Sequence, residues 1–345
     1  MISVCIPNYN YEDYLGETIQ SVLDSKYPDF EIVLADNAST DSSIAVVEGF
    51  QRKVGPDKIR YKINARNVGF AGNLDEVGGM CKGDHMIMLS SDDLMMPEAL
   101  PTYAKMMAEI EGRIVLSSSW DIIDSEGNKI DRDGPDPAIW KSTDLDQEWS
   151  KLLGYPVYKV AADELLKRCL LKVSTPFHFC TTCYRRADYL SVDGYGKGRL
   201  INPDKWFHWK LLTEVEFAYY LDSSLFSYRW HANNQTAQQH NSGHLKYLLD
   251  EYRGVIEIPD SMLDVAGLSR DQFHHSFIQN DILKHGLGEL SRGLWRKANR
   301  VFHFGKATFP ALMRQSKLSY VLRGLIMLGP VGVFFARVLR KMRAK

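Results

Sequence analysis

Ser90, Ser91, Asp92 and Asp93 follow directly on the apolar run "HMIML", and Pro97 closes the stretch a few residues later. Adjacent carboxylates repel each other, and no Lys or Arg lies within four positions of either aspartate. Two kinds of chemistry fit these residue types. Ser and Asp cap helices, and proline suits the first turn of one, so "SSDD" reads as a helix start. Alternatively, carboxylate oxygens at the end of a strand hold a divalent cation.

The choice depends on the elements that must position these residues. The run "ISVCI" ends in "PNYN", and "FEIVLA" ends in "DNASTD". "IRYKIN" reads as a third strand and "DHMIMLS" as a fourth, with helical periodicity in "EDYLGETIQSVLDS", "SIAVVEGF" and "GFAGNLDEVGGMC" between them. Strands alternating with helices imply a largely parallel sheet, and such sheets bind ligands beyond the strand ends. "PNYN", "DNAST" and "SSDD" each follow a strand directly, so all three gather along one edge. The first turn lacks GxGxxG, and no GxxxxGK[ST] loop is present, which speaks against a dinucleotide dehydrogenase and a P-loop enzyme.

Past Pro97 the pattern predicts a helix through Tyr103, Met106, Met107 and Ile110, the strand "RIVLSSS", and a hairpin about Glu126-Gly127-Asn128. Residues 131–160 are Pro-rich and poorly periodic and read as a loop or insertion. A helix begins near Asp204, "EFAYYLD" and "LFSYRWH" read as two strands, and beyond about His244 the chain reads as helical.

The 345 residues carry 45% hydrophobic and 25% charged side chains, ordinary for a folded protein with a sizeable core. The net charge of -1 hides an asymmetry: Leu290 to Lys345 holds 13 Lys/Arg and no Asp/Glu, which leaves 29 basic and 43 acidic residues in the rest. Such a tail suits an anionic partner. Its apolar run, Leu325 to Ala336, falls short of the ~20 residues that span a bilayer. With Arg323 on one side and Arg337, Arg340, Lys341 and Arg343 on the other, it reads either as an interfacial anchor on anionic lipid or as a hairpin packed on the body. It contains no recognisable nucleic-acid-binding module. The five cysteines are odd in number and irregularly spaced, and the chain opens directly on a strand pattern, so thiols in a cytoplasmic setting are expected. Cys180 and Cys183 form a lone CxxC without a second pair.

Taken in order, "ISVCIPNYNYEDYLGETIQSVLDSKYPDFEIVLADNASTDSS", "RNVGFAGNLD", "GDHMIMLSSDDLMMP" and "YRWHANNQT" resemble the family 2 glycosyltransferases over roughly residues 2 to 236. The resemblance implies a GT-A fold: a Rossmann-like, mostly parallel α/β sheet flanked by helices. It further implies a nucleotide-sugar half over residues 1–100 and an acceptor half over 101–240, while residues 241–345, beyond the resemblance, read from pattern and composition as a helical C-terminal region with the basic tail. Such enzymes bind a nucleoside diphosphate sugar with Mn²⁺ or Mg²⁺ on its pyrophosphate, and an acceptor hydroxyl attacks the anomeric carbon. Asp92 matches the last aspartate of the family's DxD motif, whose first aspartate is Ser90 here, a departure. Ser91 and Asp93 lie beside it on the donor side, and His231 approaches the metal or the pyrophosphate.

Asp36 matches the position that reads the base. A carboxylate accepts from N3–H of uracil or thymine or N1–H of guanine, which favours a UDP, dTDP or GDP sugar over a CMP sugar. Pro7, Tyr9 and Asn10 resemble the loop along the nucleoside. Arg66 and Asn73 lie at positions near base or phosphate, and Arg229 is placed either on a phosphate or in a salt bridge. Asp204, in "NPDKWFHWKLL", stands where the family carries its general base, with Pro203 replacing the usual acidic neighbour. Asp193 in "VDGYG" shapes the turn before it. The expected reaction is an inverting transfer to a glycan or polyprenyl-diphosphate-linked acceptor in surface polysaccharide synthesis, either in the cytoplasm or peripherally at the inner face of the cell membrane. A nucleotidyltransferase of related fold and a noncatalytic nucleotide- or glycan-binding protein are the competing readings.

Overall fold

A computed structural model describes residues 1–196, 203–231, 234 and 244–343, with the side chains of 244–247 and 340–343 outside the description. The chain divides into two compact units, residues 1–166 with 175–234, and residues 167–174 with 235–345.

The first unit is built on one ten-stranded sheet. Four strands form its parallel core: β1 (Ile2–Asn8), β2 (Phe30–Asp36), β3 (Ile59–Ile63) and β4 (His85–Met88), paired in the order β3-β2-β1-β4. β1 and β2 are buried along their whole length, because helices cover both faces. That burial explains why they read as unbroken apolar runs rather than alternating ones. The connecting helices α1 (Glu12–Leu23), α2 (Ser43–Val54) and α3 (Phe70–Gly79) lie where periodicity puts them, and Leu15, Ile19 and Val22 of α1 pack into the core.

Beyond β4 the two-residue strand β5 (Leu94–Met95) precedes α4 (Ala99–Glu109), and β6 (Ile114–Ile123) turns through Gly127 (φ 88°) into β7 (Lys129–Asp133) as a hairpin. Residues 131–160 are more ordered than their composition suggests. They hold the helix α5 (Gln147–Leu153) and the strand β8 (Val157–Ala161), which pairs antiparallel with β10 (Phe217–Arg229). Neither element is long enough for its period to register against the prolines around it.

Helix α6 (Ala162–Lys172), strand β9 (Cys183–Arg185) and helices α7 (Arg186–Ser191) and α8 (Asp204–Leu212) lead to β10. "EFAYYLD" and "LFSYRWH" belong to that single thirteen-residue strand, whose register shifts between Leu221, Ser224 and Phe226 mimic a break in the sequence. β9 runs antiparallel to both β4 and β6, while β10 runs parallel to β6. Six strands (β1, β2, β3, β4, β6 and β10) therefore point the same way, and the sheet is mostly parallel as expected. The second unit is helical, from His244–Glu257 to Pro330–Arg343.

Candidate functional site

Asp36 ends β2 and is fully buried, with its carboxylate held from both sides. Asn8 Nδ2 donates to Oδ1 at 2.8 Å, Ser39 Oγ to the same oxygen at 2.5 Å, and the Ser39 backbone N–H to Oδ2 at 2.8 Å. The loop that supplies these donors turns through Ala38 at φ 60°, a left-handed conformation that a residue with a Cβ rarely adopts. Asn10, also left-handed at φ 58°, accepts from the Thr40 N–H through Oδ1 at 2.8 Å, so "PNYN" and "DNAST" are knitted into one wall. Asn8 Oδ1 is buried there without a partner, an acceptor facing no protein donor.

Asn73, expected near base or phosphate, is buried between the strand ends. Its amide donates to the backbone carbonyls of Ala35 (2.9 Å) and Asn8 (3.3 Å), and its oxygen accepts from Asn64 at 2.9 Å. It ties the ends of β1 and β2 together. Tyr9 stands 43% exposed at the rim, where its ring face is open, and Arg66 is exposed as well. Pro7 is buried and contributes its carbonyl, which accepts from Ser91 Oγ at 2.7 Å.

The "SSDD" segment is no helix cap. α4 starts only at Ala99, beyond β5, and its N-cap is Glu98. Asp92 instead meets residues that follow β10: Nε2 of His231 lies 3.0 Å from its Oδ2, and Asn234 Nδ2 donates to that oxygen at 3.4 Å. The His231 ring is packed against Tyr14 (centroids 4.7 Å apart) and Tyr11 (5.9 Å). Burial, followed by the charges of Asp92 and Asp93, pushes the Tyr11 phenol well above its usual range.

Asp93 points inward. Cys180 Sγ donates to its Oδ2 at 2.8 Å and the Arg229 N–H to its Oδ1 at 3.0 Å. Burial, and then the Asp92 charge, raises its carboxyl well above the usual range. It braces the segment from beneath. Cys180 also meets Ser90, Sγ to Oγ 3.2 Å, so the residue in place of the motif's first aspartate faces a thiol.

Arg229 takes the salt-bridge alternative. Its guanidinium is 1% exposed and donates to the carbonyls of Asp92 (2.9 Å) and Ser125 (3.2 Å) and to Glu17 Oε2 at 2.6 Å. With those donors engaged it sets the backbone around Asp92.

Asp204 is the first residue of α8, on its N-terminal turn and partly exposed. Lys210 of α8 donates to the carbonyls of Val192 (2.6 Å) and Gly194 (2.7 Å), which fixes the preceding turn to the helix. Asp193 is left-handed at φ 55°, in keeping with a turn-shaping role. The buried Tyr195 phenol is held well above its usual range by burial, and the Asp204 charge adds to that. Beside α8, His178 stacks on Trp120 at 4.2 Å, and the row continues through Tyr228 to Trp230, which is 46% exposed. Burial lowers His178 to about 4 and His208 to about 3, so both rings are neutral at pH 7.

The residues that could hold a divalent cation are Asp92 and His231, whose Oδ2 and Nε2 lie 3.0 Å apart, a separation common to a hydrogen bond and to two neighbouring ligands of one cation. Among the described residues no group of three His, Cys, Asp or Glu is placed to hold a metal ion, so the remaining positions would fall to phosphate and water oxygens. Asn8, Ser39, Cys180 and Asn234 went unnoticed among the candidate residues. Three of them sit within or beside the motifs read from the sequence, whereas Cys180 gives no sequence signal of its contact with Asp93.

Residues 3–190 match the model of the family described as "Glycosyl transferase family 2". "Glycosyltransferase GlyG" of Streptococcus pneumoniae serotype 4 is 28% identical over 129 residues, 37% of this chain and 42% of that protein. The "Poly(ribitol-phosphate) beta-glucosyltransferase" of Bacillus spizizenii is 28% identical over 207 residues, 55% of this chain and 30% of that one. These matches span less than half the length of either relative. S. aureus TarS 1-349 in complex with UDP-GlcNAc superimposes with a TM-score of 0.61 at 18% identity, covering 97% of this chain and 89% of that one. The mannosyltransferase PcManGT from Pyrobaculum calidifontis, in complex with GDP-Man and Mn²⁺, gives 0.53 at 12% identity, covering 99% and 87%. At these identities the two structures establish the fold.

Proposed function

The chain belongs to glycosyl transferase family 2, and from that premise we propose that it is an inverting, metal-assisted transferase using a nucleoside diphosphate sugar, with UDP the favoured nucleotide. The observation that carries this reading is the pairing of two sites along one sheet edge: the buried carboxylate of Asp36 after β2, and the Asp92–His231 pair after β4 and β10. A carboxylate beside the unpartnered Asn8 Oδ1 offers acceptors only, which suits the ring N–H of uracil. Tyr9 supplies an exposed ring face for the base, and Asn10 shapes the loop beneath it.

A divalent cation held by Asp92 and His231 would supply positive charge to the pyrophosphate as it departs. The acceptor hydroxyl attacks the anomeric carbon from the opposite side, the bond to the diphosphate oxygen breaks, and Asp204 takes the hydroxyl proton. One displacement inverts the anomeric carbon. The exposed Trp230 and the row behind it offer an apolar surface for a sugar ring, which supports a glycan or lipid-linked glycan acceptor of the kind used in surface polysaccharides.

Calorimetry with UDP, dTDP, GDP and CMP, each with and without Mn²⁺ and repeated on Asp92→Ala, tests the donor side. Metal-dependent binding of UDP that the variant loses supports the proposal. Absence of binding by all four nucleotides, metal present, removes it.

A further inference from the structure

The last two helices expose a more apolar face than the one they bury. Lys317–Met327 turns at Leu328 and Gly329 into Pro330–Arg343. Gly329 takes φ 57°, and at Gly332 a side chain would run into the Leu325 carbonyl, so the two helices cross closely and stay fixed. The residues turned inward on the second helix are small, Gly332 and Ala336. Turned outward are Met327 at the end of the first helix, Leu328 in the turn, and Val331, Phe334, Phe335, Val338 and Leu339 on the second, with Met327 77% and Phe334 63% exposed. Positions 331, 334, 335, 338 and 339 make one stripe at helical spacing, and the Phe334 and Phe335 rings touch, centroids 5.7 Å apart. Single exposed apolar residues are ordinary. A continuous stripe along a hairpin is not.

Charge identifies what covers it. Residues 290–345 carry 13 Lys/Arg and no Asp/Glu; Lys317 and Arg323 are exposed on the first helix of the hairpin, and Arg337, exposed on the second, donates through Nε to the Ser291 carbonyl at 2.9 Å. A second copy paired hairpin to hairpin would set like charges against each other, whereas a phospholipid surface with anionic headgroups complements them. Among the described residues no helix is long and apolar enough to cross a membrane, and fourteen residues span only about 21 Å. We propose that the hairpin lies in the plane of an anionic bilayer, its apolar stripe at the boundary between headgroups and acyl chains and its basic side chains on lipid phosphates. This holds whether or not the first unit transfers sugar.

Sedimentation of the full chain with vesicles tests it, using phosphatidylcholine alone and with roughly 30% phosphatidylglycerol. The expected result is at least about tenfold tighter binding to the anionic vesicles, weakening several-fold when salt rises from about 0.1 to 0.5 M. The variant Phe334→Ser with Phe335→Ser, both exposed in the wild type, should keep its circular dichroism and lose about tenfold or more of the vesicle affinity. The proposal is overturned if the wild type ignores anionic vesicles, or if the double variant binds them equally well. Self-association of the wild type that the double variant abolishes, without vesicle binding, would assign the face to a second copy instead.

Discussion

Nε2 of His231 lies 3.0 Å from Oδ2 of Asp92, although 139 positions separate the two residues along the chain. The contact is made because β4 and β10 run in the same direction and deliver their ends to one edge of the sheet. If the pair is a cation site, Asp92→Asn and His231→Ala should each weaken Mn²⁺-dependent UDP binding by tenfold or more, about 1.4 kcal/mol, and leave metal-free binding unchanged. Titration calorimetry at fixed metal reads this directly. Equal losses with and without metal would assign the pair to packing.

Arg229 and Glu17 form an ion pair whose two ends differ sharply in burial. Removing the guanidinium (Arg229→Met) strips donors from the carbonyls of Asp92 and Ser125 and should cost about 3 kcal/mol in urea unfolding. Glu17→Gln, at a side chain 60% exposed, should cost less than about 1 kcal/mol. A phosphate-binding arginine would give the reverse pattern: little loss of stability and a large loss of nucleotide affinity.

Asp204→Asn keeps the size of the side chain and the start of α8 while removing the proton acceptor. Transfer should fall by roughly 10²- to 10⁴-fold with UDP affinity unchanged. Product analysis on the wild type should show the opposite anomer to that of the donor. If Asp204→Asn transfers at the wild-type rate, the base lies elsewhere. If the wild type binds donor and never turns over with glycan acceptors, the protein is a binding module, the reading that Ser90 and Pro203 leave open.

His178 and His208 make acid stability a test of the interior around Trp120. Both are lowered by burial, to about 4 and about 3, so between roughly pH 6.5 and 4 the unfolded chain binds two protons that the folded chain does not. Their contribution is fully present above pH 6.5 and is lost as pH falls through the folded values. Each should add a slope of about 1 kcal/mol per pH unit to the unfolding free energy in that window, and His178→Asn with His208→Asn should flatten it. Urea titrations at pH 7, 6 and 5 measure the slope. A wild-type slope matching the double variant's would mean that both rings are hydrated.

The parallel core was legible because its central strands β1 and β2 are buried on both faces and its helices on one, and each leaves a distinct period in the sequence. Position was legible where a polar residue ends or closely follows an apolar strand, as at Asp36 and Asp92, which both lie at one edge of the sheet. Role was illegible where two roles use the same residue type. A guanidinium caged by carbonyls and one open to phosphate look alike in sequence, and so do an asparagine facing a ligand and one spent on backbone, as at Arg229 and Asn73. α5 and β8 were hidden for another reason: elements of seven and five residues are shorter than the window in which periodicity emerges. The Cys180–Asp93 contact joins residues 87 positions apart, and no local pattern encodes it.

The asparagines at the ends of β1, β2 and β3 bear on how fast a nucleotide could bind. Asn73 fastens Asn8 to Ala35, Asn64 reaches both Asn73 and Asn37, and Asn37 accepts from the Val68 N–H, so three strand ends and the following loop are laced together from within. If a nucleotide binds at that end of the cleft, a wall held this way predicts a single binding phase limited by encounter, and a second, slower phase would have to originate beyond the laced strands.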